Sequence, residues 1–141
     1  MKRQARAQWR GDLKSGKGSL WTDSGVLNET PYSFSTRFEG VKGTNPEELI
    51  AAAHAGCFTM ALSAELGKAG LTAENLQTTA AVSLEKGDGG WSVTESHLQL
   101  VARIPGASEE AFRTAAETAE KNCPISKLLK AKITLDAKLE K

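Results

Sequence analysis

The sequence has little of what would place it in a specialised class. Two cysteines in 141 residues do not make the disulfide framework of a small secreted scaffold. Two histidines, with no CxxC or HxxxH spacing, leave a zinc site short of ligands. An excess of one charge is missing too. Eighteen basic against 17 acidic side chains give a net charge of +1, so no global field gathers nucleic acid or coats an anionic membrane. No repeat, low-complexity tract or linker divides the chain. The longest apolar stretch, Leu49 to Leu66, is interrupted by His54, Ser63 and Glu65, which argues against a membrane span. Met1 to Arg10 carries Lys2, Arg3, Arg6 and Arg10 and lacks the apolar segment of a secretory signal. A cytoplasmic location is therefore the expectation, and there the two cysteines read as free thiols, metal ligands or redox partners. What remains is an ordinary globular mix, 40% apolar and 25% charged. It suits a single domain over residues 1–141.

Periodicity sets out the elements. Ala5, Ala7 and Trp9 alternate with polar neighbours, the period-2 pattern of a half-buried strand. After a glycine-rich turn at 11–18, Ser19 to Thr22 continues as strand. Tyr32, Phe34, Thr36 and Phe38 alternate with Ser33, Ser35 and Arg37, which predicts a third strand with Arg37 on its polar face. The strongest helix signal follows. Asn45 suits the cap and Pro46 the first helical position, while Glu47 and Glu48 sit where the helix dipole favours anions. From Leu49 to Leu66 this helix is apolar nearly all round, so burial on most sides is expected. Gly67 or Gly70 ends it.

Residues 76–84 and 91–104 read as a hairpin. Its second strand carries Leu98, Leu100, Ala102 and Ile104 in one phase and Trp91 and Val93 in the other, which predicts a bulge or strong twist near residues 95–97. Ser108 caps a second helix, Cys123-Pro124 opens a short third, and Ile133 to Leu139 forms a last strand. The class is α+β with mainly antiparallel sheets wrapped around a long buried central helix.

The two cysteines sit in contrasting places. Cys123 occupies the N-cap of a helix that begins at Pro124, where exposed N–H groups favour a thiolate. Cys57 lies mid-helix among alanines, where apolar surroundings raise a thiol pKa, so a cation must reach it if it is to react. By local chemistry alone Cys123 is the better nucleophile. His54 lies three residues before Cys57, on the same helix face. It reads either as a partner to the thiol, in a Cys-His pair or a metal site, or as a histidine at a helix face or subunit interface. Glu47 is ten residues from Cys57, ~15 Å of helical rise. Its carboxylate either serves the helix dipole or reaches a Cys57 site from another subunit or across a broken helix start. Arg37 alone is a solvated strand residue.

Four segments together change these readings: Arg37-Phe38-Glu39-Gly40, Gly43-Thr44-Asn45-Pro46-Glu47-Glu48-Leu49, Ala52-Ala53-His54-Ala55-Gly56-Cys57-Phe58 and Cys123-Pro124-Ile125-Ser126. They resemble the OsmC/Ohr family, of osmotically inducible protein C and organic hydroperoxide resistance protein, and the OsmC branch more than the Ohr branch. The resemblance runs from the Trp9 strand to Asp136. Gly56 stands where relatives usually have alanine, which predicts looser packing beside the thiol. The resemblance implies an OsmC-like intertwined homodimer that reduces organic hydroperoxides, with its sites at the subunit interface. It puts the reactive thiol on Cys57, the resolving thiol on Cys123, a thiolate-stabilising cation on Arg37 and its partner carboxylate on Glu47. This reverses the roles that local chemistry gives the two thiols. No cofactor or metal is implied. The partners implied are a hydroperoxide, preferably alkyl because Phe58 and Met60 offer an apolar approach, and a dithiol reductant, for which lipoyl-bearing proteins are the expectation in the Ohr branch. Two rival readings use the same residues: a non-catalytic redox sensor, and a small-ligand or metal-binding protein using His54 with the thiols.

Overall fold

The computed structural model describes residues 1–140. The chain divides into two compact units, Met1–Leu49 and Ile50–Lys141.

In the first unit, β1 (Ala5–Arg10), β2 (Lys17–Thr22) and β3 (Thr30–Tyr32) form an antiparallel sheet in that order. Gly18 pairs with both Trp9 and Tyr32, whose rings lie 5.5 Å apart. A Cβ at Gly18 would strike both rings, so only glycine lets them meet there.

The third strand is shorter than the alternation predicts. Phe34–Phe38 is instead a short helix, α1, and Arg37 lies in its last turn rather than on a strand face. Two local effects decide this. Ser33 and Thr36 form a capping box, each side chain accepting the other's backbone N–H. Phe34 and Phe38, four apart, stack with ring centroids at 4.9 Å, so the same aromatic spacing that fits a period of two also fits one helical turn.

The long helix α2 spans Pro46–Lys68. Asn45 accepts the Glu48 N–H at 2.8 Å and starts it. At its end the Leu71 N–H bonds the Leu66 carbonyl, and Gly70 takes φ +73° to bond Gly67. This is the glycine-terminated C-cap that the sequence suggested.

In the second unit, β4 (Asn75–Gly87) and β5 (Gly90–Arg103) make a long antiparallel hairpin, and β6 (Lys132–Glu140) completes a sheet of order β4-β5-β6. The irregularity expected near residues 95–97 falls one step earlier: Ser83 pairs with Glu95 and Leu84 with Val93, leaving Thr94 as the extra residue. The pairings β1–β2, β2–β3 and β4–β5 are antiparallel, in line with the mainly antiparallel expectation, while β6 runs parallel to β5. The reason is the crossover through α3 (Glu109–Asn122) and α4 (Pro124–Leu128), which returns the chain to the end where β5 began.

The core packs Phe58, Leu62 and Leu66 of α2 with Leu98, Leu100 and Ala102 of β5 and with Phe112, Ala115, Ala116 and Ala119 of α3. Only one stripe of α2 is buried: His54, Phe58, Leu62 and Leu66, each four residues on. The expectation of burial on most sides is not met within the single chain. Ala53, Met60 and Ala64 are exposed, because one small sheet and α3 can cover only the face turned toward them. Gly56 is exposed as well, and a Cβ there would touch nothing within 4 Å, so the glycine loosens no packing inside the chain.

Leu62 has no exposed surface and lies one helical turn beyond the residues that surround Cys57. Leu62→Ala should destabilise the fold by about 2–5 kcal/mol through lost burial and the cavity left behind. Urea unfolding would show the midpoint shift at an unchanged slope.

Candidate active site

Cys57 comes from the middle of α2, and Cys123 is the residue at which α3 ends and α4 begins. Their sulfurs lie 2.9 Å apart as free thiols, with Cys123 donating to Cys57. A disulfide bond is about 2.05 Å long, so closure needs less than ~1 Å of movement. Cys123 is fully buried, whereas Cys57 is partly accessible. Of the two thiols, Cys57 is the more open to reagents in solution.

The N-terminus of α4 behaves differently from the local expectation. Cys123 makes no capping bond with its side chain. Instead the Ile125 backbone N–H faces the Cys57 sulfur and favours its ionised form. The helix end that seemed to activate its own cap residue serves the other thiol. Burial still dominates and pushes the Cys57 thiol above its ordinary pKa. A cation brought near Cys57 would offset that effect.

His54 is fully buried, and both its ring nitrogens are taken. Nδ1 lies 2.6 Å from Ser96 Oγ on β5, and Nε2 lies 2.8 Å from Ser126 Oγ on α4. Burial lowers its pKa, which keeps the ring neutral, so one serine donates to it and the other accepts. With both nitrogens engaged by hydroxyls, neither is free to join the thiols as a metal ligand. The His54 partners escaped the sequence reading, although a signal was present. Ser96 continues the inward phase of Leu98, Leu100 and Ala102, and a polar side chain facing a core demands a buried partner.

In the first unit, Glu47 grips Arg37 through a two-point fork: Nη2 to Oε1 at 2.7 Å and Nε to Oε2 at 3.1 Å. The guanidinium also lies over the Phe38 ring, 5.2 Å from its centre. Its Nη1 end is not engaged by Glu47. Helix α2 runs unbroken from Pro46, so a broken start that would bring Glu47 back toward Cys57 does not occur. The structure thus pairs the four expected residues two by two, Arg37 with Glu47 and Cys57 with Cys123, each pair within its own unit. Phe58 is fully buried in the core and cannot line an approach to Cys57, while Met60 is exposed.

The sequence matches the model of the family described as "OsmC-like protein" over residues 39–138. It is 52% identical over 138 residues to Peroxiredoxin OsmC of Escherichia coli (strain K12), which covers 98% of this chain and 96% of that one. The fold is similar to the crystal structure of the organic hydroperoxide resistance protein OhrB of Bacillus subtilis, with a TM-score of 0.68 and 27% identity, covering 97% of this chain and 98% of that one. It is also similar to an OsmC-like protein from Mycoplasma pneumoniae, with a TM-score of 0.77 over 100% and 99% of the two chains. At 18% identity that second likeness speaks for the fold alone.

Proposed function

This chain belongs to the OsmC-like protein family, and from that premise we propose that it reduces organic hydroperoxides to alcohols with Cys57 as the attacking thiol and Cys123 as the resolving one. A Cys-based peroxidase activity is what its relatives' names, peroxiredoxin OsmC and organic hydroperoxide resistance protein, indicate. The observation that supports the thiol roles best is the 2.9 Å approach of a partly accessible Cys57 to a buried Cys123.

The steps balance as follows. The Cys57 thiolate attacks one peroxide oxygen; the O–O bond breaks, an S–O bond forms, and the departing alkoxide takes a proton to leave as alcohol. The Cys123 sulfur then attacks the Cys57 sulfenic sulfur, and the hydroxyl leaves with the Cys123 proton as water. An external dithiol reduces the resulting disulfide and is itself oxidised. A lipoyl dithiol is the candidate reductant, and a reducing cytoplasm suits the cycle.

The Arg37–Glu47 pair supplies the cation in this proposal, with the fork fixing the guanidinium plane. Because ten residues of continuous α2 separate Glu47 from Cys57 by ~15 Å of rise, the pair is assigned to the site of a second copy of the chain. The exposed apolar side of α2, with Ala53, Met60 and Ala64, is where such a homodimer would bury surface. Sedimentation at micromolar concentration should show twice the 15.0 kDa chain mass. A stable folded monomer there would refute this arrangement.

Steady-state consumption of an alkyl hydroperoxide, compared with hydrogen peroxide and driven by dithiothreitol or by a lipoyl dithiol, tests the whole reading. Multiple turnovers with the alkyl substrate preferred are expected. A single stoichiometric oxidation without turnover would instead make the disulfide itself the output, as in a redox sensor.

A further inference from the structure

The residue least explained by the peroxidase reading is His54. It carries no surface, it does not face the thiols with either nitrogen, and yet it joins three elements at the point where the two cysteines meet. We propose that His54 is a positioning residue for disulfide closure: it ties α4 to α2 and β5 through Ser126 and Ser96, and so holds the Cys123 sulfur and the Ile125 N–H against Cys57. The proposal rests on the thiol roles given above but not on the identity of the oxidant.

Three features carry it. First, the spacing is local on both sides. His54 and Cys57 are one helical turn apart on α2, and Ser126 and Cys123 are three residues apart around the start of α4. A bond between His54 and Ser126 therefore runs beside the approach of Cys57 to Cys123, and it fixes the distance between the same two helices. Second, α4 has only five residues, Pro124–Leu128, and none of them is fully buried. Ile125 packs on the core, but a helix this short has little packing to set its rotation. The Ser126 hydroxyl supplies a second anchor, on the third residue of α4, next to Ile125, whose N–H faces Cys57. Third, Ser96 holds the opposite nitrogen at 2.6 Å from a fully buried site, so the ring plane is fixed before it reaches Ser126. A buried histidine with only a structural role needs its nitrogens satisfied; it has no need for one of the partners to sit on the helix that bears the second thiol.

The substitutions that test this avoid the buried ring. Ser126 is only partly buried, so Ser126→Ala removes the anchor from α4 with little risk to folding, and Ser126→Thr keeps a hydroxyl in the same place. Diamide oxidises two thiols to a disulfide and is itself reduced to the hydrazine, so it reports closure without any peroxidase chemistry. In Ser126→Ala, diamide-driven closure of Cys57 and Cys123 should slow by about tenfold, the effect of one lost hydrogen bond on the population of the closing geometry. The pH profile of Cys57 alkylation should move upward in the same variant, because the Ile125 N–H is no longer held on the sulfur. Ser126→Thr should restore both readouts to within about twofold. A purely structural role would lower thermal stability in Ser126→Ala while leaving the closure rate and the alkylation profile of the folded protein at wild-type values, and that result overturns the proposal. So does failure of Ser126→Thr to recover either readout while Ser126→Ala shows the loss. Failure of wild-type protein to turn over alkyl hydroperoxide would refute the peroxidase reading separately, since the diamide and alkylation measurements stand without it.

Discussion

Cys57→Ser is expected to abolish hydroperoxide reduction, lowering turnover by about a thousandfold or more, because a serine hydroxyl is not ionised at any accessible pH and its oxygen cannot accept the peroxide oxygen to form a sulfenic acid. Cys123→Ser should behave differently. Its single remaining thiol can still take one oxygen from peroxide, but with no neighbour 2.9 Å away to close the disulfide, the sulfenic acid persists or is oxidised further. Mass spectrometry after one equivalent of alkyl hydroperoxide should find one added oxygen on Cys57 in Cys123→Ser. The same treatment of wild-type protein should find an intramolecular disulfide. Full activity in Cys57→Ser would return the nucleophile to Cys123, where local helix chemistry alone first placed it, and oxygen on a residue other than Cys57 in Cys123→Ser would overturn the role given to Cys57.

Arg37→Ala is expected to slow the oxidation step by about 10- to 1,000-fold at pH 7, the range over which an opposite charge shifts a poorly solvated acid. The sign follows from the thiol. Burial raises the Cys57 pKa, so at neutral pH the unaided group is mostly the unreactive thiol. A guanidinium near it restores thiolate. Removing the guanidinium lowers the rate most where ionisation is the shortfall, and the deficit should shrink as pH rises toward 10, where hydroxide ionises the thiol without help. Arg37→Lys should recover only part of the loss, since an ammonium keeps the charge but cannot lie in the two-point fork with Glu47. Glu47→Gln should give a milder version of the defect, because it loosens the guanidinium without removing it. The measurement is the rate of oxidation across pH 7 to 10 beside the alkylation profile of Cys57. An equal loss at every pH with an unchanged alkylation profile would mean that Arg37 orients the peroxide rather than tuning the thiol. No loss at all would leave it a surface ion pair, a feature that by itself contributes little.

The sequence by itself determined a good deal. The Asn45-Pro46 start of α2 and the Ser108 start of α3 are settled by caps acting over three or four residues. The start of α4 at Pro124, with Cys123 just before it, follows from proline's preference for the first helical position. The inward phase of Leu98, Leu100 and Ala102 on β5 follows from their alternation with polar or outward neighbours. These are short-range rules, and they hold whatever the rest of the chain does.

Other features were decided only by the tertiary structure. The direction of β6 depends on where a two-helix crossover lets the chain return. The N–H groups at the start of α4 could have served Cys123; instead the packing of that helix against α2 turns Ile125 toward Cys57, which no local pattern encodes. His54 shows the difference most clearly. Its helix position was plain from the sequence, but the serines that satisfy it lie 42 and 72 residues away, and only the folded chain brings β5, α2 and α4 to one buried ring. A polar group removed from water must find its partner wherever packing places one, and sequence separation sets no limit on that search.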